Sequence, residues 1–391
     1  MKRQMDRATM TGLFLVIASF FVFAVCAWYF DALRGDFFYL ADAFLHGRAW
    51  LDFAPGPADV IVMNGHFFVP FAPFPAIALM PLVAIIGPVA ADHAEPFINA
   101  MLAAISVGLC WWYLGRLRVT NLGSRTWLVG LFGFSTQILW VTTRGGVWHT
   151  GHLIATILTF ACLIELWGGR RAWLIGLMAG AAFLTRAPLA FAVPFYALIL
   201  IPPTSEIPWR RWIELTVGVL PSIAFFFFYN QVRFGSPFES GYGLASLPEF
   251  LEVLRRQGLF SIAHISMNID YLFLHLPTFV PNPPFLVPDG LGMSLFLTSP
   301  GLFYAVRADW RRRESWLMLG AAIVVLVPTL LYYGGGWLQY GYRYFLDSVP
   351  FVIGLCGIAA ASRGRIGLGW RILIVGGVIV MLRGVAWAYG I

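Results

Sequence analysis

Along most of the chain, apolar residues come in unbroken runs. They show neither the one-sided stripe of a soluble helix nor the alternation of a half-buried strand. A run of about 17–25 apolar residues can cross a hydrocarbon core about 30 Å thick. Spans are therefore expected over 11–30, 95–115, 127–143, 151–168, 173–185, 189–201, 213–229, 285–304, 317–333, 349–361 and 373–388. The proline-rich run 73–91 is ambiguous, and arginine decides its placement. Lys2, Arg3 and Arg7 put the amino terminus in the cytoplasm. If 73–91 lies flat on the outer face, Arg116, Arg118 and Arg125 return to the cytoplasm; if it spanned, those three would face outward. The flat reading also sends Arg170, Arg171, Arg210, Arg211, Arg307, Arg311, Arg312, Arg313, Arg363, Arg365 and Arg371 to the cytoplasmic side. The expected architecture is an all-α polytopic membrane protein of about 11 transmembrane helices, forming a single domain over 1–391. Its long external loops cover 31–94, with interfacial helices, and 230–284.

Composition agrees with this pattern. The chain is 59% hydrophobic and 12% charged, about half the charge of a soluble domain, which leaves too little polar surface to coat a globule in water. A net charge of +7 invites a nucleic-acid reading, but the arginines punctuate the gaps and form no single patch. Cys26, Cys110, Cys162 and Cys356 all fall inside apolar runs, with no CxxC and no zinc spacing, so they read as buried thiols. The first run is long enough to be a retained helix rather than a cleaved leader. One lysine beside 25 arginines points to a GC-rich bacterial genome, hence to an inner membrane with the outer loops in the periplasm.

The candidate chemistry collects on the outer side. Arg144, Arg186, Arg233 and Arg343 break the positive-inside bias, each beside aromatic, amide or glycine residues. A planar guanidinium grips phosphate through paired donors. Trp148, Tyr242 and Trp337 would add flat apolar faces for sugar rings or lipid chains. Together these residues point to a cationic, aromatic pocket for a sugar-bearing lipid phosphate, with an aspartate of the first loop as a general base.

The order of these elements resembles the GT-C superfamily of polytopic glycosyltransferases that use polyprenyl-phosphate sugars. The resemblance rests on Asp36-Phe-Phe-Tyr-Leu-Ala-Asp42 after the first span and on the proline-rich 65–75 stretch before an interfacial helix. Thr185-Arg186-Ala-Pro188, Arg233-Phe-Gly235-Ser-Pro237 and Gly341-Tyr342-Arg343-Tyr344 extend it over most of the chain. Many members carry two adjacent acids in the first loop, whereas Phe37 follows Asp36 here. The resemblance implies an inverting transfer to an acceptor hydroxyl, on a glycan, glycolipid or protein, at the periplasmic face. Asp36 would be the base, and Arg186, Arg233 and Arg343 would neutralise the departing phosphate.

Each residue also has a plainer reading. Asp36 is a favourable helix cap, and Asp42 and Asp59 are weaker site candidates. Arg343 could pair with Asp347 four residues on, and Arg186 could snorkel to headgroups. His149 and His152 could hydrogen-bond a substrate or pack, and a metal site lacks a third ligand. Tyr342 belongs with Arg343, while Glu239 and Asp270 of the second loop could touch the acceptor. No cofactor is assigned; a divalent cation remains compatible with the sequence, though no motif supports one. The competing function is a transporter or flippase of a lipid-linked sugar. Transporters tend to carry internal repeats and mid-membrane charges, and no repeat is visible here.

Overall fold

The computed structural model describes residues 2–28, 35–54, 60–201, 208–283 and 285–390. Asp59 therefore lies outside the described residues. The chain opens with α1 (Lys2–Ala27) and α2 (Asp36–Leu45). A short antiparallel hairpin follows, β1 (Ile61–Met63) and β2 (His66–Phe68). Then come α3 (Phe74–Ile86), α4 (Pro88–His93), α5 (Glu95–Arg116), α6 (Leu122–Phe134), α7 (Ile138–Arg144), α8 (Val147–Leu166) and α9 (Ala172–Phe183). A 3-10 helix (Ala187–Ala192) leads into α10 (Val193–Ile199), then α11 (Trp209–Phe234) and α12 (Glu249–Arg255). The long segment after α12 continues through α13 (Ile265–Ile269) and a two-stranded ladder, β3 (Thr278–Phe279) with β4 (Leu286–Val287). The last part holds α14 (Leu295–Thr298), a 3-10 helix (Pro300–Arg307), α15 (Arg313–Leu331), a 3-10 turn (Arg343–Asp347), α16 (Val349–Arg363) and α17 (Leu368–Ala388).

Among the described residues, six helices are long and apolar enough to cross a membrane: Arg7–Ala27 of α1, then α5, α8, α11, α15 and α17. The remaining apolar runs are shorter or interrupted. The 127–143 run breaks at Ser135-Thr136-Gln137, where the Gln137 amide donates to Thr298 Oγ1 at 3.2 Å. The 285–304 run is not one helix. It holds the short strand β4, the four-residue α14 and the start of a 3-10 helix. Pro288, Gly290, Gly292 and Pro300 interrupt it, and these residue types disfavour a helix interior. A 3-10 helix rises about 2.0 Å per residue against 1.5 Å for an α-helix, so Ala187–Ile199 covers about 22 Å with only 13 residues. The 73–91 run becomes α3 and α4, split at Gly87, whose φ of 79° favours glycine. The 13 residues of α3 reach only about 20 Å, short of a full crossing.

Burial separates inner from outer helices. Of its most apolar window, 72% of α8 is buried, against 28% for each of α1, α11 and α17, whose bare apolar faces are left for lipid. Helices α9 and α11 meet backbone to backbone. A Cβ on Gly176 would stand 2.1 Å from the Leu215 carbonyl oxygen, and one on Gly218 would stand 2.2 Å from that of Trp173. Small residues permit such close approach in lipid, where packing replaces the hydrophobic effect as the glue. Gly218→Val must push the helices apart, a destabilisation of about 1–3 kcal/mol. It should appear as a lower melting temperature in detergent, and an unchanged melt would show that the seam carries no such strain.

Candidate functional site

A cavity of about 260 Å³ lies where the ends of several helices meet. Its walls come from Phe37 on α2, Trp148 and His152 on α8, Thr185–Pro188 after α9, the 240–260 part of the second loop, and 328–344 around the end of α15. The cavity thus gathers Arg186, Arg343, His152, Trp148, Tyr242 and Trp337, all expected at one site from the sequence. Tyr332, Tyr333 and Tyr344 complete an aromatic lining. No aspartate or glutamate lines it among the described residues.

The two lining arginines differ in charge balance. Arg186 donates through Nε to both carboxylate oxygens of Asp347 at 2.7 Å. His152 Nδ1 stands 3.4 Å from Asp347 Oδ1. Burial works to raise the Asp347 pKa, but the Arg186 charge outweighs it and holds the carboxyl below its ordinary range. Arg186 and Asp347 therefore cancel. Arg343 has no carboxylate partner among the described residues. Its guanidinium lies 5.3 Å from the ring centres of Trp148 and Tyr344, and Nε has no hydrogen-bond acceptor. Among the described residues, its one side-chain hydrogen bond is from Nη1 to the Trp337 carbonyl at 3.5 Å. The ion pair suggested by the Arg343–Asp347 spacing is thus not made, because a 3-10 turn (Arg343–Asp347) and a closer arginine redirect Asp347.

Local structure explains why Arg343 faces inward. The Gly334–Gly336 bend brings the chain back after α15, and Gly336 has a φ of 92°. Gln339 braces that bend: its amide donates to the Gly335 and Leu291 carbonyls, and its Oε1 accepts from the Arg343 backbone N–H. The Tyr342 side chain does not line the cavity; its hydroxyl donates to Asn268 Oδ1 at 3.2 Å and to the carbonyl of the lining residue Thr329 at 3.1 Å. Tyr342 is a brace, not a lining residue.

The other expected site residues scatter. Asp36 sits buried in the first turn of α2, beside the lining residue Phe37 but not itself on the wall. Arg233 donates to the Val69 carbonyl at 2.9 Å and to Asn230 Oδ1 at 2.8 Å, and stacks on Tyr229. It pins the first loop to α11 at Val69, just before the lining residues Pro70, Phe71 and Ala72, without lining the cavity itself. Arg144 ends α7 and His149 is wholly buried, with Nδ1 against the Gly145 carbonyl; neither lines the cavity. Asp42 faces His46 and Arg48 on the surface. Glu239 accepts from the Gly241 N–H at 2.7 Å. Asp270 shares His275 with Asp289, at 3.0 and 2.7 Å. Among the described residues, no three His, Cys, Asp or Glu side chains could hold a metal ion.

Two features escaped the sequence reading. Asp347 appeared only as an alternative partner for Arg343, and its actual partner lies 161 residues away. Glu95, at the start of α5, is buried and accepts from the Gly146 N–H at 2.9 Å and the Thr150 hydroxyl at 3.0 Å. It holds the start of α8, and so Trp148 and His152, in place. Its signal was available: an acid opening an apolar run is costly and so has a reason to be there.

The site can hold an anion at Arg343 against two aromatic faces, with an apolar body along the tyrosine and tryptophan walls. Burial pushes the Tyr242 hydroxyl up to about 12, so it remains a neutral donor at physiological pH. No protein-family model matches the chain, and no curated protein or solved structure matches it.

Proposed function

We propose that the chain is an inverting glycosyltransferase that takes a sugar from a polyprenyl-phosphate donor at the periplasmic face of a bacterial inner membrane. The observation that carries this reading is the buried, uncompensated Arg343 in an aromatic cavity at the ends of the helices. A monophosphate diester with a long apolar tail matches one net positive charge set in apolar walls. The GT-C-like order of motifs adds the direction of the chemistry. Counting the shorter and broken apolar segments as crossings gives the eleven-span arrangement that puts this cavity outside.

In the reaction the acceptor hydroxyl attacks the anomeric carbon and its proton passes to Asp36. The bond from that carbon to the phosphate oxygen breaks, its electron pair leaves with polyprenyl phosphate, and Arg343 meets the new charge. Asp36 is buried in the first turn of α2, one residue before the lining residue Phe37, so proton transfer to it requires the acceptor to enter past that ring. Phosphate is already a good leaving group, so the base supplies only the lower part of its usual range. Asp36→Asn should therefore slow transfer by about 10²-fold while the protein keeps its melting temperature.

The test is purified protein in nanodiscs with a radiolabelled polyprenyl-phosphate sugar and a candidate acceptor panel. Label on an acceptor supports the enzyme. Translocation of the lipid between leaflets of proteoliposomes, without acceptor labelling, would replace it with the flippase reading.

A further inference from the structure

The long loop after α11 has two faces. Its inner face lines the cavity through residues such as Tyr242, Leu247 and Leu251. Its outer face is apolar and bare: Phe238 is 81% exposed, Ile262 81%, Phe279 82% and Phe260 62%. Phe250, Val253, Leu274, Leu276 and Phe285 are also exposed. Helix α12 within this loop buries none of its residues. So much bare apolar surface in water would be an aggregation hazard.

This surface continues the lipid-facing flanks of two membrane-crossing helices. The Phe238 ring meets Phe227 of α11 edge-on at 5.5 Å, beside the exposed Phe228 and Val232. At α15 the loop is clamped by backbone. Ser261 N–H donates to the Leu331 carbonyl at 2.8 Å and Tyr333 N–H donates to that of Leu259 at 3.2 Å. Phe260 is thereby fixed at the end of α15, below which Ile323 and Val327 are exposed on the same helix. Phe260 also lines the cavity, so one margin of the cavity lies on this apolar surface.

We propose that the loop over 236–283 is seated in the outer leaflet, where lipid chains cover Phe238, Phe260, Ile262 and Phe279, and that the cavity opens toward the bilayer beside Phe260. The loop is then a lipid-borne wall and not a water-exposed flap. Acidic and basic residues of α12 (Glu249, Glu252 and Arg255) would lie at headgroup level while Val253 points into the acyl boundary and Phe250 packs edge-on against the lining residue Trp337. A ligand with an apolar tail can then reach Arg343 without leaving the membrane.

The experiment uses the full chain in nanodiscs. Phe238→Cys, Ile262→Cys and Phe279→Cys are each made in a Cys26→Ser background, since the other three native thiols are buried. Each is labelled with a nitroxide, and collision with oxygen is compared with collision with a water-soluble nickel chelate. Phe228→Cys on α11 gives the lipid reference and Arg311→Cys the water reference. The three loop labels are expected to show oxygen-to-nickel ratios several-fold above the water reference and near the lipid one. Ratios nearer the water reference would overturn the proposal. These side chains make little use of protein packing, so the substitutions should spare the fold. The readout needs neither donor nor acceptor, and it succeeds or fails independently of transferase activity.

Discussion

Arg343→Gln is expected to lower transfer from a polyprenyl-phosphate sugar by about 10²–10³-fold, the usual cost of removing one preorganised group that stabilises developing charge. Glutamine keeps much of the length and can still donate, but it carries no charge to meet the leaving phosphate. The effect should be large because Arg343 has no carboxylate partner among the described residues, and its charge is held among aromatic rings away from bulk water. Removing it should leave stability unharmed, since no ion pair is broken and a desolvated charge is relieved. The measurement is the initial rate together with the melting temperature. A variant that transfers at the wild-type rate would exclude Arg343 as the phosphate ligand. Arg186→Gln provides a contrast, because its charge is already balanced by Asp347 and its loss should be felt mainly in folding.

The second large effect concerns that pair. Asp347→Asn should destabilise the protein by about 3–5 kcal/mol, the cost of stranding a buried partner charge. Arg186 would keep its guanidinium among Tyr344, His152 and the cavity wall with no carboxylate to face it. Replacing both partners, as Arg186→Met with Asp347→Leu, should recover much of the loss, because the cost arises from an unmatched charge and not from a missing contact. Thermal unfolding of the two single variants and the double variant measures the coupling. Additive losses would show that the two residues act separately. The sign with pH follows from the lowered Asp347 pKa. The stabilisation is present above the ordinary aspartate value and disappears as pH falls through the lower folded value, so neutral conditions keep it intact.

The sequence was most legible where one physical constraint dominates. Long apolar runs became α1, α5, α8, α11, α15 and α17, because every backbone group in lipid must be satisfied inside its own segment. It was less legible at 285–304, where hydropathy alone cannot tell a helix from extended chain interrupted by proline and glycine. The pocket's aromatic and cationic character was readable from Trp148, Tyr242, Trp337, Arg186 and Arg343, all of which reach it. The division of labour among the arginines was not. Arg233 and Arg343 both sit beside aromatic and glycine residues in sequence, yet one ties down a loop and the other faces the cavity. That difference depends on neighbours brought from 161 or 164 residues away, which spacing along a helix cannot supply. The Arg343–Asp347 spacing misled for the same reason, since i,i+4 proximity assumes an α-helix where the chain forms a 3-10 turn (Arg343–Asp347).

The glycine seam between α9 and α11 has a mechanical consequence. With backbones this close, the two helices have no side-chain layer to compress, so they shift together or not at all. Thr185 and Arg186 follow α9 directly, which makes their side of the chamber stiff. Helix α12, which borders the same chamber through Leu251, buries no side chain and is held mainly by Arg255 on the Ala245 carbonyl and Phe250 against Trp337. Ligands of different girth would therefore be accommodated more by yielding of α12 than of the α9 end, with the Arg186 side of the chamber held in place.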